Sequence, residues 1–189
     1  MALGLLRKFD IHPGQKVLIN GASGAIGSIA LQLAKHRGAE VTAVCSAAKA
    51  DYVKTLGADF VMDYTQGILN QNPQRYDLIL DVLGKLKWAE VQNLLTEKGV
   101  WLLASFKTDK LLRMLGTNFS GKQKVICALV NDKPKDLKTL RELAEKKALK
   151  VIVDKVFRLD QVAEAHTHYE TPTNGGNVIL EMVSGSAEE

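Results

Sequence analysis

Apolar and polar residues fall along this chain in two alternating kinds of block. The first kind is apolar nearly throughout: Lys16 to Ile19, Glu40 to Cys45, Phe60 to Tyr64, Tyr76 to Leu83, Val100 to Ser105 and Lys124 to Val130. Continuous runs of this length predict strands covered on both faces. The second kind is amphipathic. Ile26, Ile29, Ala30 and Leu33 recur at helical spacing and predict a helix from Ala25, with His36 and Arg37 suited to its negative dipole end and Gly38 as its stop. Ala48 to Leu56, stopped by Gly57, and Trp88 to Leu95, followed by a turn at Lys98-Gly99, predict two more helices. Leu3 to Phe9 reads as a leading helix, and Asp10 to Gln15 as the turn that delivers the chain into the first strand. Strands that alternate with helices, each strand apolar along its length, predict an α/β fold: a doubly wound parallel sheet with helices on both faces.

Beyond Val130 the texture changes. Asn131 to Asp136 is polar, and Leu137, Leu140, Leu143 and Ala144 then mark one face of a highly charged helix. Lys150 to Leu159, Asp160 to Glu170 and Asn177 to Val183 read as strand, helix and strand, with Asp160 as the helix cap, and Ser184 to Glu189 as a frayed end. The expected division is therefore a sheet domain over residues 1–131 and a short appendage over residues 132–189.

The chemistry concentrates in Asn20 to Ser28, a glycine-rich stretch between the first apolar run and the first amphipathic one. Small residues there let the chain turn sharply, let backbone amides approach a pyrophosphate, and let helix pack on strand, with the positive helix end facing the anion. Ala22 stands where the strict G-x-G-x-x-G pattern has its first glycine, and Gly24 and Gly27 fill the other two positions. A glycine turn that merely closes a strand onto a helix is the competing reading; the strand, turn and helix context favours phosphate binding. Short-chain dehydrogenases share this pattern but need a tyrosine four residues before a lysine. Tyr52, Tyr64, Tyr76 and Tyr169 are followed four places on by Leu56, Ile68, Leu80 and Thr173, which excludes that group.

Composition narrows the picture further. With 189 residues, 46% hydrophobic and 24% charged, the chain can bury one sizeable core. A net charge of +4 is only mildly basic, and the lysines are spread along helices without interleaved aromatics, so nucleic acid is not an expected partner. Cys45 and Cys127 stand singly in apolar runs and read as free thiols in a reducing, cytoplasmic setting. No run is long enough for a membrane span, and no signal-peptide pattern follows Met1. The histidines at 12, 36, 166 and 168 offer no metal spacing with either cysteine, so no metal is expected.

The order of motifs resembles the medium-chain dehydrogenase/reductase superfamily, in particular its zinc-free, quinone oxidoreductase-like branch. The resemblance rests on Pro13-Gly14-Gln15 before the first strand, Gly21 to Gly27, Leu56 to Asp59, Asp77 to Gly84, Leu94 to Gly99, Ala163 to His166 and Gly176 to Leu180. It implies a Rossmann sheet of order 3-2-1-4-5-6. Members of that superfamily begin with a GroES-like barrel that supplies most substrate contacts, and these residues show no counterpart of it. The tail strands Val151 to Val153 and Val178 to Leu180 are thus expected to lack their partner. Joining of two sheets at the sixth-strand edge, as in related dimers, implies a homodimer.

Within this frame Ser23, Gly24, Ala25, Ile26 and Gly27 are expected to cradle the pyrophosphate. The residues after the second strand, Val44 to Ala48, contain no carboxylate to hold a ribose hydroxyl, whereas Ser46 and Lys49 offer a hydrogen bond and a positive charge. The resemblance adds that NADPH-using members carry a serine and a lysine here and a tyrosine after the third strand, matched by Ser46, Lys49 and Tyr64. Val82, Leu83 and Gly84, with Ala104 and Ser105, are expected to line the nicotinamide crevice. The resemblance thus implies NADP(H) as cofactor and hydride transfer to a quinone, enone or similar carbonyl compound, without a dedicated catalytic side chain; the chain alone is expected to turn over weakly or not at all. The alternative is a non-catalytic cofactor-binding or protein-interaction module on the same fold.

Overall fold

The computed structural model describes residues 1–67, 73–108, 110, 114, 122–131, 133–171 and 176–182. They form two compact units, residues 1–150 and 151–189. In the first, a six-stranded sheet has the order β3-β2-β1-β4-β5-β6. Its strands are β1 (Lys16–Asn20), β2 (Glu40–Cys45), β3 (Phe60–Asp63), β4 (Tyr76–Asp81), β5 (Leu95–Leu103) and β6 (Lys124–Cys127). All neighbouring pairs run parallel. The strands β1, β2 and β4 are buried almost end to end, as their unbroken apolar runs require, while β3 and β6 close the two edges and are only partly covered.

The helices of this unit are α1 (Ala2–Leu6), α2 (Ala25–His36), α3 (Ala50–Thr55), α4 (Trp88–Val91) and α5 (Pro134–Glu145). On α2, Ala30, Leu31, Leu33 and Ala34 are buried and pack the helix onto the sheet. Gln32, also buried, accepts from the Lys150 backbone N–H at 2.6 Å and donates to the Lys150 carbonyl at 3.1 Å, which anchors the end of the unit to α2. Arg7 Nη1 donates to Asp136 Oδ2 at 3.0 Å, and Nη2 pairs with Oδ1, tying α5 to the leading segment. The first compact unit therefore extends past the boundary expected at residue 131 and includes α5.

Several expected bounds shift for identifiable reasons. The helix read over Trp88 to Leu95 is a single turn, because Leu95 already pairs with Tyr76 and Tyr76 N–H donates to the Leu94 carbonyl at 2.7 Å. Lys98-Gly99 accordingly lies inside β5. A side chain at 99 would stand 2.8 Å from the Tyr76 carbonyl, and the register slips opposite Tyr76 and Leu78. Strand β4 ends at Asp81, two residues before the predicted Leu83, where the chain turns into a loop. Leu137 lies on the outer side of α5 and is exposed, so the apolar face there is narrower than its four residues suggest.

The second unit contains β7 (Val153–Arg158), α6 (Val162–Glu170) and β8 (Asn177–Glu181). The two strands, expected to lack their partner in the barrel, pair with each other in parallel, as a helical crossover between them permits. Asp160 does not cap α6. It sits in a 3-10 turn over Leu159–Gln161, where its carboxylate accepts from Arg158 Nε at 3.2 Å, and Gln161 occupies the cap position. Ser184 to Glu189, expected to fray, lie outside the described residues.

Candidate functional site

The C-terminal ends of β1 to β5 share one edge of the sheet. Asn20 lies beside Val44 on one side and Asp81 on the other, Cys45 lies beside Asp63, and Asp81 beside Leu103. Every sequence-predicted site residue follows one of these ends. The strand order reverses between β1 and β4, so the crevice of an open α/β sheet falls where the glycine stretch meets the loop after β4.

Hydrogen bonds extend the sheet into these loops. The Gly21 and Ala22 amides both donate to the Val44 carbonyl at 3.1 Å, Val82 N–H donates to Asn20 O at 3.1 Å, and Ala104 N–H donates to Asp81 O at 3.1 Å. The loops also touch: a side chain at Gly21 would meet Leu83 Cγ at 3.1 Å, and one at Gly84 would meet the Ser105 carbonyl at 2.2 Å. Gly84, with φ of +65°, is further confined to glycine by its backbone. Gly21, Leu83, Gly84 and Ser105 thus form one continuous wall.

The glycines of the loop divide into two kinds. A Cβ on Gly27 would stand 2.1 Å from the Gly21 carbonyl oxygen and 2.8 Å from Ala22 Cα, so close packing of α2 against the loop requires a glycine. Gly24, by contrast, has ordinary negative φ, and a Cβ there would meet nothing nearer than the Gly21 carbonyl at 3.6 Å. The fold makes no demand for glycine at 24. Gly24 also serves as the N-cap of α2, with no side-chain cap and no acidic residue in the first turn, and Gly24 and Ala25 are exposed. The start of a twelve-residue helix, the positive end of its dipole, is therefore exposed without a side-chain cap.

On the other flank, Ser46 precedes a 3-10 turn over Ala47–Lys49 and accepts the Lys49 N–H on its carbonyl at 2.9 Å. Tyr64 is 56% exposed. The Lys49 ammonium and the Asp63 carboxylate both act on the Cys45 thiol; burial above all, then Asp63, push it up from its ordinary value, while Lys49 pulls it down. The sequence reading found no acid after β2, but register brings one from β3. Asp63 Oδ1 is engaged by the Thr65 N–H at 2.9 Å. That carboxylate was hidden because a parallel neighbour is remote in sequence.

Asp81 is a second residue missed by sequence reasoning. It is fully buried at the end of β4; Oδ1 accepts from Asn20 Nδ2 and Gly84 N–H at 2.9 Å each, and Oδ2 from Leu86 N–H at 3.1 Å. One carboxylate thereby fixes the loop after β4 to the end of β1. An acid at the end of an otherwise apolar run was the available signal.

The sequence profile of a family described as zinc-binding dehydrogenases matches residues 56–180. The chain belongs to this family. It shares the arrangement of the medium-chain dehydrogenase/reductase superfamily. A chloroplastic quinone-oxidoreductase, QR1, from Triphysaria versicolor is 30% identical over 174 residues, which span 89% of this chain and 53% of that protein. An NADPH-dependent alkenal/one oxidoreductase of Arabidopsis thaliana is 28% identical over 94% of this chain and 43% of its own length. The quinone oxidoreductase structure from Coxiella burnetii superposes with a TM-score of 0.80 at 22% identity, over 96% of this chain and 57% of that one, and shows the shared fold. The chain spans about half the length of these curated relatives. Among its described residues no three His, Cys, Asp or Glu side chains group as metal ligands, and no helix is long and apolar enough to cross a membrane.

Proposed function

We propose that this chain is the NADP(H)-binding part of an oxidoreductase that reduces a quinone, enone or similar conjugated carbonyl compound. The observation that carries the reading is Gly24: a glycine that the fold does not require, at an uncapped helix start, in the crevice where the strand order reverses. A ligand whose pyrophosphate packs against the backbone supplies the missing requirement. Ser23 to Gly27 would hold that group. Ser46 and Lys49 would meet the 2′-phosphate, with Tyr64 covering the adenosine end, and Val82 to Gly84 with Ala104 and Ser105 would border the nicotinamide.

When bound, the cofactor supplies a hydride, and the protein's part is to orient and to exclude water. Asp81 contributes by fixing the loop that carries Leu83 and Gly84. The names of the relatives, quinone and alkenal/one oxidoreductases, support a substrate of this class. Among the described residues, Asp63 is the acid that register brings to the end of β2, where it sets a limit on discrimination. A charge-assisted contact contributes about 1.5–3 kcal/mol, so NADPH should bind at least about tenfold more tightly than NADH. Calorimetric titration with both cofactors tests this, and Lys49→Ala should remove most of the difference. Equal affinities in the parent protein would refute the assignment.

A further inference from the structure

A concave pocket of about 600 Å³ opens between the loops that follow β4 and β5. Its apolar surface comes from Leu83, Leu86, Trp88 and Phe106 over the buried Trp101, whose indole stacks on that of Trp88 at 6.0 Å between centroids and 30° between planes. Its polar surface is cationic. Lys85, Lys87, Lys107 and Lys110 all line it, and no acidic side chain does so among the described residues. Lys110 is held in place, its ammonium bonded to the Gly84 carbonyl and lying 5.3 Å from the Trp101 ring centroid. Lys85, Lys87 and Lys107 are exposed at the mouth.

Core packing accounts for the aromatic side chains, since Trp101 belongs to the core and Trp88 and Phe106 pack against it, but it does not account for the lysines. Like charges converging on one cavity repel, and four lysines in a chain with 25 basic residues would cost less if spread out. The Trp101 indole N–H is buried and has no hydrogen-bond partner among the described residues, although buried tryptophans ordinarily find one. Leu83, Gly84 and Ser105 also line this pocket, so it adjoins the wall of the crevice described above. An apolar, partly aromatic wall accepts a planar conjugated body, and a cationic rim accepts an anionic substituent on it.

We infer that this pocket selects planar, conjugated carbonyl compounds that carry an anionic group, such as a carboxylate or sulfonate, over their neutral counterparts. The planar body lies against Trp88, Phe106 and Leu83 above the buried Trp101, and the anion faces the lysines. Calling the ligand a substrate rests on the cofactor reading; its recognition by the pocket does not.

Trp88 and Trp101 are the only two tryptophans of the chain, so indole fluorescence reports directly on this pocket. The experiment titrates the protein with naphthoquinone sulfonate and with menadione, a neutral naphthoquinone of similar size, with free tryptophan as the absorption control. The sulfonate should bind about tenfold more tightly than menadione, and its advantage should shrink as salt is raised. The double variant Lys85→Ala/Lys107→Ala alters two exposed side chains and should lose that advantage while binding menadione as before. Circular dichroism of the variant confirms its fold, and NADPH titration of the same samples keeps the two readings apart. Equal affinities, absence of binding by either quinone, or an advantage that survives in the double variant would overturn the inference even where NADPH binds normally. NADPH failing while the sulfonate retains its advantage would overturn the cofactor reading alone.

Discussion

Gly24 and Gly27 look alike in sequence, and their surroundings separate them. At Gly27 a methyl group would collide with backbone that has no free end to swing away, whereas at Gly24 it would make only an ordinary van der Waals contact with the Gly21 carbonyl. Gly27→Ala should therefore destabilise the fold by about 1–3 kcal/mol, because the loop must shift as α2 moves. Gly24→Ala should leave the thermal midpoint within about a degree or two of the parent's and yet weaken NADPH binding about tenfold or more. Thermal unfolding and calorimetry on the two variants check this, and normal NADPH affinity in Gly24→Ala would remove the main support for a ligand there. The same contrast shows what was legible at this scale. Loop position and small residues were readable, but which glycine serves packing and which leaves room for a ligand depends on the distance from Gly27 to Gly21, six residues back. Asp63 and Asp81 were likewise invisible as site neighbours, since their partners at Cys45 and Asn20 are joined to them only by the sheet.

Among elements, strands were the most legible, because burial on both faces writes itself as an unbroken apolar run. The helices were less so. Trp88 and Leu95 suggested one helix, but the register of β5 against β4 takes the chain into strand at Leu95 and leaves α4 a single turn. The charged helix α5 has few buried side chains, so its attachment falls largely to polar contacts, foremost the pair between Arg7 and Asp136. The Arg7 guanidinium holds the Asp136 carboxyl below the ordinary carboxylate range, against a smaller opposing effect of burial. A carboxyl depressed in the folded state contributes stability that is fully present above its unfolded value, about 4, and is lost as pH falls through the folded value. Asp136→Asn should thus lower the urea midpoint at neutral pH, with the gap to the parent narrowing as pH drops below about 4. Urea titrations across pH measure this, and a gap unchanged down to strongly acidic pH would show that the ion pair does not hold α5.

For the whole molecule, the parallel sheet followed from the alternation of blocks and its order from the family resemblance, while the pairing of the tail strands followed from neither. These two strands pair with one another through α6, a contact across the helix that no local pattern announces. Strand β6 ends the described sheet, and Leu129 just beyond it is 82% exposed. Apolar surface exposed at the edge of a sheet favours association. We propose that two copies join there, and light scattering should give twice the chain mass; a monomer at high concentration would contradict it. The central claim, that a dinucleotide lies across the switch point on the start of α2, is tested most directly by following backbone amide resonances as NADPH is added. The largest shifts are expected at Ala25, Ile26 and Gly27, with further shifts at Ser46, Lys49 and Gly84. Saturating NADPH that leaves the amides of Ala25 to Gly27 unmoved would contradict that claim.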